Sequence, residues 1–176
     1  MPTVRTAILL IVAVLLLLAS RRSLRARWQH ALPRLVALLL ILILIVLNSG
    51  AWLVDPTSPA QIASWILLAS SIPLAVYHLV LLRRHGQPNG DIDHTTVLVR
   101  RGIYRYIRHP LYLSLILLAL GSVLKQLTLL TGALALAACS LLYFTARLEE
   151  DFNQKKFGGA YTAYVRDTKM FVPKIL

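Results

Sequence analysis

Residues Leu111–Ala146 read LYLSLILLALGSVLKQLTLLTGALALAACSLLYFTA, and Lys125 is the only charged side chain among them. Two apolar runs, Leu111–Leu124 and Leu127–Ala146, are parted only by Lys125 and Gln126. A helix needs about 20 apolar residues to cross the roughly 30 Å hydrocarbon core of a bilayer. The second run has that length and the first falls short. Apolar helices joined by so brief a break double back on each other, so the stretch predicts a tight helical hairpin with Lys125 near its tip. That lysine either snorkels to the far interface or marks a hairpin that stops short of a full crossing.

Three more apolar stretches precede the hairpin: Val4–Ser20, Leu35–Val54 and Ile62–Leu82. Hydrophobic residues make up 57% of the 176, and the mean hydropathy is +0.68, above what a soluble domain carries. The pattern predicts an all-α membrane protein of about five transmembrane helices. It forms a single integral domain over residues 1–176, with three spans and basic loops in 1–95 and the chemically richer part in 96–176. Asp55-Pro56-Thr57-Ser58-Pro59 reads as a turn, with Ser58 capping the third helix and Pro59 in its first position.

The net charge of +12 would suggest nucleic acid in a soluble chain, but here the cations sort by side. Arg21, Arg22, Arg25, Arg27 and Arg34 follow the first span, and Arg83, Arg84, Arg100, Arg101, Arg105 and Arg108 follow the third. Arg147, Lys155, Lys156, Arg166, Lys169 and Lys174 follow the fifth, leaving Arg5 and Lys125 opposite. A central arginine costs about 3 kcal/mol on insertion scales, so the arginine-rich loops lie outside the core. The positive-inside rule then predicts an integral membrane protein with its N-terminus outside and its C-terminus cytoplasmic, and no nucleic acid partner. Leu18-Ala19-Ser20 has the look of a signal-peptide cleavage site, but the cations that follow it favour a retained span. Cys139, the one cysteine, lies in an apolar run and reads as a core residue. No intramolecular disulfide and no zinc or iron–sulfur site on thiolates can be built from it.

Just before the hairpin, Gly102–Tyr112 reads Gly-Ile-Tyr-Arg-Tyr-Ile-Arg-His-Pro-Leu-Tyr. Pro110 disfavours helix at His109 and favours a helix that starts at Pro110 itself. The first N–H groups of that helix, from Leu111 and Tyr112 onward, can hold a carboxylate or phosphate. Arg105 and Arg108 add positive charge, and Tyr104, Tyr106 and Tyr112 supply aromatic faces for an adenine ring or a cationic centre. Anchoring at a membrane interface alone would use the same residue types. After the hairpin comes Arg147-Leu148-Glu149-Glu150-Asp151, whose acids the hairpin brings back beside His109. They can accept from an amino group or hydroxyls, or simply neutralise nearby arginines.

Leu148, Phe152, Phe157, Tyr161, Tyr164 and Val165 then recur at roughly helical spacing among charges, interrupted by Gly158 and Gly159. This predicts a short amphipathic cytoplasmic C-terminal segment. Among the other histidines, His78 sits within the third span, where an ionisable group is a functional suspect. His30 and His85 lie in basic loops. Asp91-Ile92-Asp93-His94 lacks a matching ligand set, so no metal is expected. There is no Gly-x-Gly dinucleotide loop, P-loop or Gly-x-Ser-x-Gly elbow, so any nucleotide-like cofactor is held by helix ends and interfacial loops.

From Thr96 to Pro173 the chain resembles the isoprenylcysteine carboxyl methyltransferase family and the wider set of integral membrane methyltransferases that includes phospholipid N-methyltransferases. The resemblance rests on Val97-Leu98-Val99, Gly102-Ile103-Tyr104, Arg108-His109-Pro110-Leu111-Tyr112, Glu149-Glu150, Phe157-Gly158 with Tyr161 and Tyr164, and Val172-Pro173. It implies a helical membrane enzyme that uses S-adenosylmethionine. Carried over by position, Leu98, Val99, Tyr104, His109, Pro110, Leu111, Tyr112 and Glu149 would contact the cofactor, with Glu150 as the near alternative. The acceptor it implies is a lipid or isoprenoid-type molecule entering from the bilayer. Arg147 or Arg108 would steer an anionic acceptor, and Glu150, Glu149 or His109 would serve as base for an amine. Four positions depart from the family pattern. Ser114 stands where glycine is usual, Gly159-Ala160 replaces an acidic pair, and Thr145 occupies the place of a substrate-contacting arginine. These count against an isoprenylcysteine acceptor more than against methyl transfer. NADPH-dependent sterol-type reductases resemble the same region but are longer. A non-enzymatic membrane subunit or transporter would show facing polar residues within the spans, where only Asn48, His78 and a few Ser and Thr lie.

Overall fold

A computed structural model describes residues 2–87 and 95–173, without the side chains of 2–6, 8–9, 19, 22–23 and 25–30 in the first helix. Pro88 to His94 and Lys174 lie outside the described residues, as do the side chains of Arg5, Arg22, Arg25, Arg27 and His30. The elements in order are α1 (Pro2–Leu47), a 3-10 turn (Asn48–Ala51), α2 (Pro59–His85), a second 3-10 turn (Gly102–Arg105), α3 (Pro110–Val123), α4 (Leu129–Phe157) and α5 (Gly159–Asp167). The protein is therefore an all-α membrane protein. Three stretches, Ala31–Ala51, Pro59–His85 and Leu129–Phe157, are long and apolar enough to cross a membrane among the described residues, and Pro110–Val123 is a shorter apolar helix.

One boundary differs from the sequence reading. Val4–Ser20 and Leu35–Val54 were expected as separate spans with a basic loop between them, yet Pro2–Leu47 is one helix of 46 residues. The stretch from Arg21 to Arg34 holds no glycine and is rich in Arg, Ala and Leu, all strong helix formers; Pro33 is the one helix breaker, and the helix carries it. At 1.5 Å per residue such a helix is about 69 Å long, more than twice the hydrocarbon thickness. Two antiparallel crossings need a turn between them, and α1 has none.

The chain forms two compact units. The first comprises residues 1–69 and 115–145, the second 70–114 and 146–176. In the first unit the buried positions recur at helical spacing: Ala37, Ile41, Leu44 and Asn48 at the end of α1, Gln61, Ser64 and Leu68 in α2, and Ala135, Ala138, Leu142 and Thr145 in α4. Many are small, which lets helix backbones approach closely where lipid offers no hydrophobic drive for helix association. Large apolar side chains such as Ile62, Ile66, Leu130, Leu136 and Phe144 face outward, as a lipid-exposed surface requires. Gly121 of α3 marks the closest approach: a Cβ there would lie 2.8 Å from Leu68 Cγ and 3.1 Å from the Ser64 carbonyl oxygen.

The short helix α3 ends in a way that explains its length. A helix terminus leaves its last carbonyls without intrahelical partners, and hydrocarbon supplies none. Here side chains of other elements supply donors. Asn48 Nδ2 donates to the Ser122 carbonyl at 2.7 Å and Ser64 Oγ donates to the Gly121 carbonyl at 2.6 Å. Gln61 Nε2 donates to the carbonyls of Ala51 and Lys125 at 3.1 and 3.3 Å. Lys125 itself is buried, donating from Nζ to Gln61 Oε1 at 2.9 Å and resting 3.5 Å from the centre of the Trp65 ring. The hairpin tip thus turns inward onto an aromatic face instead of snorkelling outward. Ser58 caps α2 as its sequence suggested, accepting from the Gln61 N–H through its hydroxyl at 3.4 Å and from the Ile62 N–H through its carbonyl at 3.0 Å.

The second unit has its own core in Leu81, Leu82, Val99 and Tyr104. The chain leaves α2 at Gly86, whose N–H bonds the Leu82 carbonyl at 2.8 Å and whose carbonyl accepts from the Thr96 N–H at 2.9 Å. Gly158, at φ +56°, separates α4 from α5, matching the interruption expected at Gly158 and Gly159. Tyr161 and Tyr164 form the buried face of α5.

The donor set at the end of α3 gives a first prediction. Asn48→Ala removes the shorter of the two hydrogen bonds to the buried Ser122 carbonyl, leaving the Lys125 N–H at 3.3 Å, at a cost of about 1 kcal/mol. Thermal unfolding of the purified protein in detergent should fall by several degrees. An unchanged melting temperature would mean that the Lys125 N–H alone satisfies the carbonyl.

Candidate active site

The segment Tyr106–His109 is fixed before α3 begins. Its backbone pairs with the stretch after α5 in a short parallel bridge between Ile107 and Lys169. The Arg108 N–H donates to the Lys169 carbonyl at 2.8 Å and the His109 N–H to the Met170 carbonyl at 3.1 Å, while the Lys169 N–H donates to the Tyr106 carbonyl at 3.1 Å. Pro110 then starts α3, as Pro in a first helical position should. This clip orients His109 and sends Arg108 toward α4.

Arg108 is the hub. Its Nε donates to Glu150 Oε1 at 2.6 Å, and its Nη1 donates to the carbonyls of Thr168 and Val165 at 2.6 and 3.4 Å. The two side chains are 9% and 11% exposed. The other Glu150 oxygen lies 3.7 Å from Arg147 Nη1, and Arg147 is 60% exposed. His109 is buried, with Nε2 3.5 Å from Glu150 Oε1 and Nδ1 3.8 Å from Glu149 Oε2. Its ring stacks on Tyr112 at 5.7 Å and 27°, and leans on Phe171 at 6.2 Å.

Glu149 differs from its neighbour. Its side chain is 30% exposed, and the Tyr112 hydroxyl donates to its Oε1. Its Oε2 stands too far from His109 Nδ1 for a hydrogen bond. A held, partly exposed carboxylate thus lies at the start of α3, beside a buried imidazole and a tyrosine face. Such an arrangement can accept from an amine or hydroxyl of a ligand.

A second group of side chains gathers around the 3-10 turn Gly102–Arg105. Tyr104 is buried and its hydroxyl shares a 2.7 Å hydrogen bond with His78 Nδ1 of α2. The Tyr104 carbonyl accepts from the Tyr164 hydroxyl at 2.8 Å. Burial, reinforced by the Glu150 charge, pushes the Tyr161 phenol up to about 12, and burial also raises Tyr164. Both stay neutral hydrogen-bond donors across the physiological range. Arg100 lies over the Tyr164 ring at 5.5 Å and donates to the Ala160 carbonyl, while Lys156 Nζ donates to the Thr95 carbonyl.

Arg108, His109, Tyr112, Glu149 and Glu150 therefore come together, and Pro110 and Leu111 belong to the helix start they share, while Tyr104 is joined to His78 and Tyr164. Val99 is packed in the core with Leu81 and Leu82, and Leu98 is half-buried beside it. Tyr106 is largely exposed. Thr145 and Ser114 turn their hydroxyls back to their own helices, onto the carbonyls of Leu141 and Leu111. Sequence reasoning missed the clip formed by Thr168–Phe171. Its buried residues, Thr168, Met170 and Phe171, follow a charged helix, and the run is too short to show a strand period. It also left His78 as a weak suspect, because its partner is 26 residues away.

The family model for phospholipid methyltransferases matches residues 60–160. No curated protein matches the chain.

The burial difference between the two arginines yields a prediction. Arg108→Ala strands the Glu150 carboxylate in a buried setting and should cost about 3–5 kcal/mol. Arg147→Ala, at an exposed position, should cost under about 1 kcal/mol. Melting temperatures of the two variants in one detergent would check this, and equal losses would contradict the hub role of Arg108.

Proposed function

The chain belongs to the phospholipid methyltransferase family, a family of membrane methyltransferases whose substrates are lipids, and on that footing we propose that it moves a methyl group from S-adenosylmethionine to a lipid-borne acceptor at the cytoplasmic face. The observation that carries this reading is Glu149: a partly exposed carboxylate, held by Tyr112, at the N-terminus of α3 and beside His109. The residues present suit the cofactor. Glu149 can accept from its amino group, the first turn of α3 favours its carboxylate, and the aromatic faces of Tyr104 and Tyr112 suit its adenine or cationic centre. S-adenosylmethionine, when bound, supplies a methyl group activated by its positive sulfur.

The protein's part is placement. Arg108 and Glu150 spend their polar groups on each other and on α5, so they brace the wall against which Glu149 stands. That division of labour supports Glu149 over Glu150 as the carboxylate that meets the cofactor. Leu98, Pro110 and Leu111 would form the apolar lining, with Val99 packed in the core, and exclusion of water there favours transfer by proximity and orientation. Arg147 is the exposed cation next to the site and would draw the charged head of an anionic acceptor. His109, between Glu149 and Glu150, is placed to take the proton released by an amine acceptor. The cytoplasmic placement rests on the cations after α2 and α4, which sequence topology assigns to that side.

Binding to purified protein tests the reading. Calorimetry should detect S-adenosylmethionine and no NADPH. Glu149→Gln should weaken the binding about 10-fold or more, the loss expected for one hydrogen bond to a charged group. A folded wild type that binds NADPH but not S-adenosylmethionine would overturn it.

A further inference from the structure

A buried histidine in a membrane helix needs an explanation, because an apolar residue would pack there without the cost of burying a polar ring. His78 of α2 is 6% exposed. Its Nδ1 shares the 2.7 Å hydrogen bond with the Tyr104 hydroxyl, and the two rings lie 5.9 Å apart. Tyr104 is thereby held at both ends, its side chain by α2 and its carbonyl by Tyr164 of α5. The same turn meets α2 a second time. Gly102 adopts φ +58°, and a Cβ there would clash with the Tyr77 hydroxyl and lie 2.8 Å from Leu81 Cδ1. The 3-10 turn Gly102–Arg105 is pinned to α2 at points about one helical turn apart.

The close contact at Gly102 would suffice to pack the turn, and a Leu–Phe pair would fill the His78–Tyr104 space without polar atoms. A hydrogen bond adds what such packing does not: it fixes one orientation of the ring. Replacing both partners by apolar residues of similar shape is close to neutral for stability, so the bond contributes geometry more than folding energy.

We propose that His78 is a positioning residue for cofactor affinity: through its hydrogen bond to Tyr104 it sets the turn that walls the methyl-donor site. The inference rests on the methyl-transfer reading above. His78 acts through Tyr104 and does not touch the donor.

The test is a double-variant cycle in the full chain, reading the dissociation constant for S-adenosylmethionine and the melting temperature together. His78→Leu and Tyr104→Phe should each weaken binding about 10-fold, the size of one hydrogen bond. The double variant should lose no more than either single one, because both remove the same bond. His78→Asn, whose side chain can present a polar atom near the Nδ1 position, should stay within about threefold of the wild type. The double variant should melt close to the wild type, and in turnover the losses should fall on KM rather than kcat. Unchanged affinity in His78→Leu, losses that multiply in the double variant, or affinity that merely tracks melting temperature would each overturn the proposal. If His78→Leu does not fold, Tyr104→Phe and His78→Asn still decide it: full affinity in Tyr104→Phe, or a full loss in His78→Asn, counts against it. A wild type that binds no S-adenosylmethionine would sink the methyl-transfer reading and this inference together. A wild type that binds, with His78→Leu unchanged, sinks the inference alone.

Discussion

The Arg108 guanidinium ties together pieces of chain that lie far apart in sequence. It reaches Glu150 in α4 and the carbonyls of Thr168 and Val165 at the end of α5, from a position two residues before α3 starts. A buried ion pair is a weak stabiliser when its groups are left partly unsatisfied, since desolvation offsets the attraction. This one has its Nη1 directed to backbone carbonyls while Nε holds the carboxylate, a division that the planar fork of arginine allows. The pair fixes α4 relative to the start of α3, and so decides where Glu149 stands. His109 and Tyr112 then complete a polar wall whose single open carboxylate belongs to Glu149.

The other end of α3 obeys the rule of hydrocarbon, where every backbone polar group needs a partner within the protein. A helix of 14 residues is too short to carry its last carbonyls to water across a bilayer. Asn48, Ser64 and Gln61 replace that water, and Gly121 allows the approach that brings Ser64 within reach. The polar residues that look sparse within the spans are thus spent on a structural task. They satisfy the end of a short helix, which a solute pathway would not require.

Much of this was legible in the sequence. Apolar runs gave the helices, Pro59 and Pro110 gave two of their starts, and the short break at Lys125-Gln126 gave the hairpin. The convergence of Arg108-His109-Pro110 with Glu149-Glu150 followed from the hairpin and from family resemblance. Three things were not legible. The continuity of α1 through Arg21–Pro33 turns on helix propensity winning over charge, and topology rules read charge alone. Adjacent residues in a helix point about 100° apart, and the different tasks of Glu149 and Glu150 depend on which of them packing turns toward Arg108. The clip at Thr168–Phe171 is a long-range backbone pairing with too few residues to leave a period.

Methyl transfer from S-adenosylmethionine to lipid is the reaction proposed for this site. Membranes carrying the protein, incubated with S-adenosylmethionine labelled in its methyl group, test it most directly. Label should enter the organic-extractable fraction above the level of matched membranes lacking the chain, with S-adenosylhomocysteine formed in step. Equal label in the two membranes, with the protein folded and present, would contradict it.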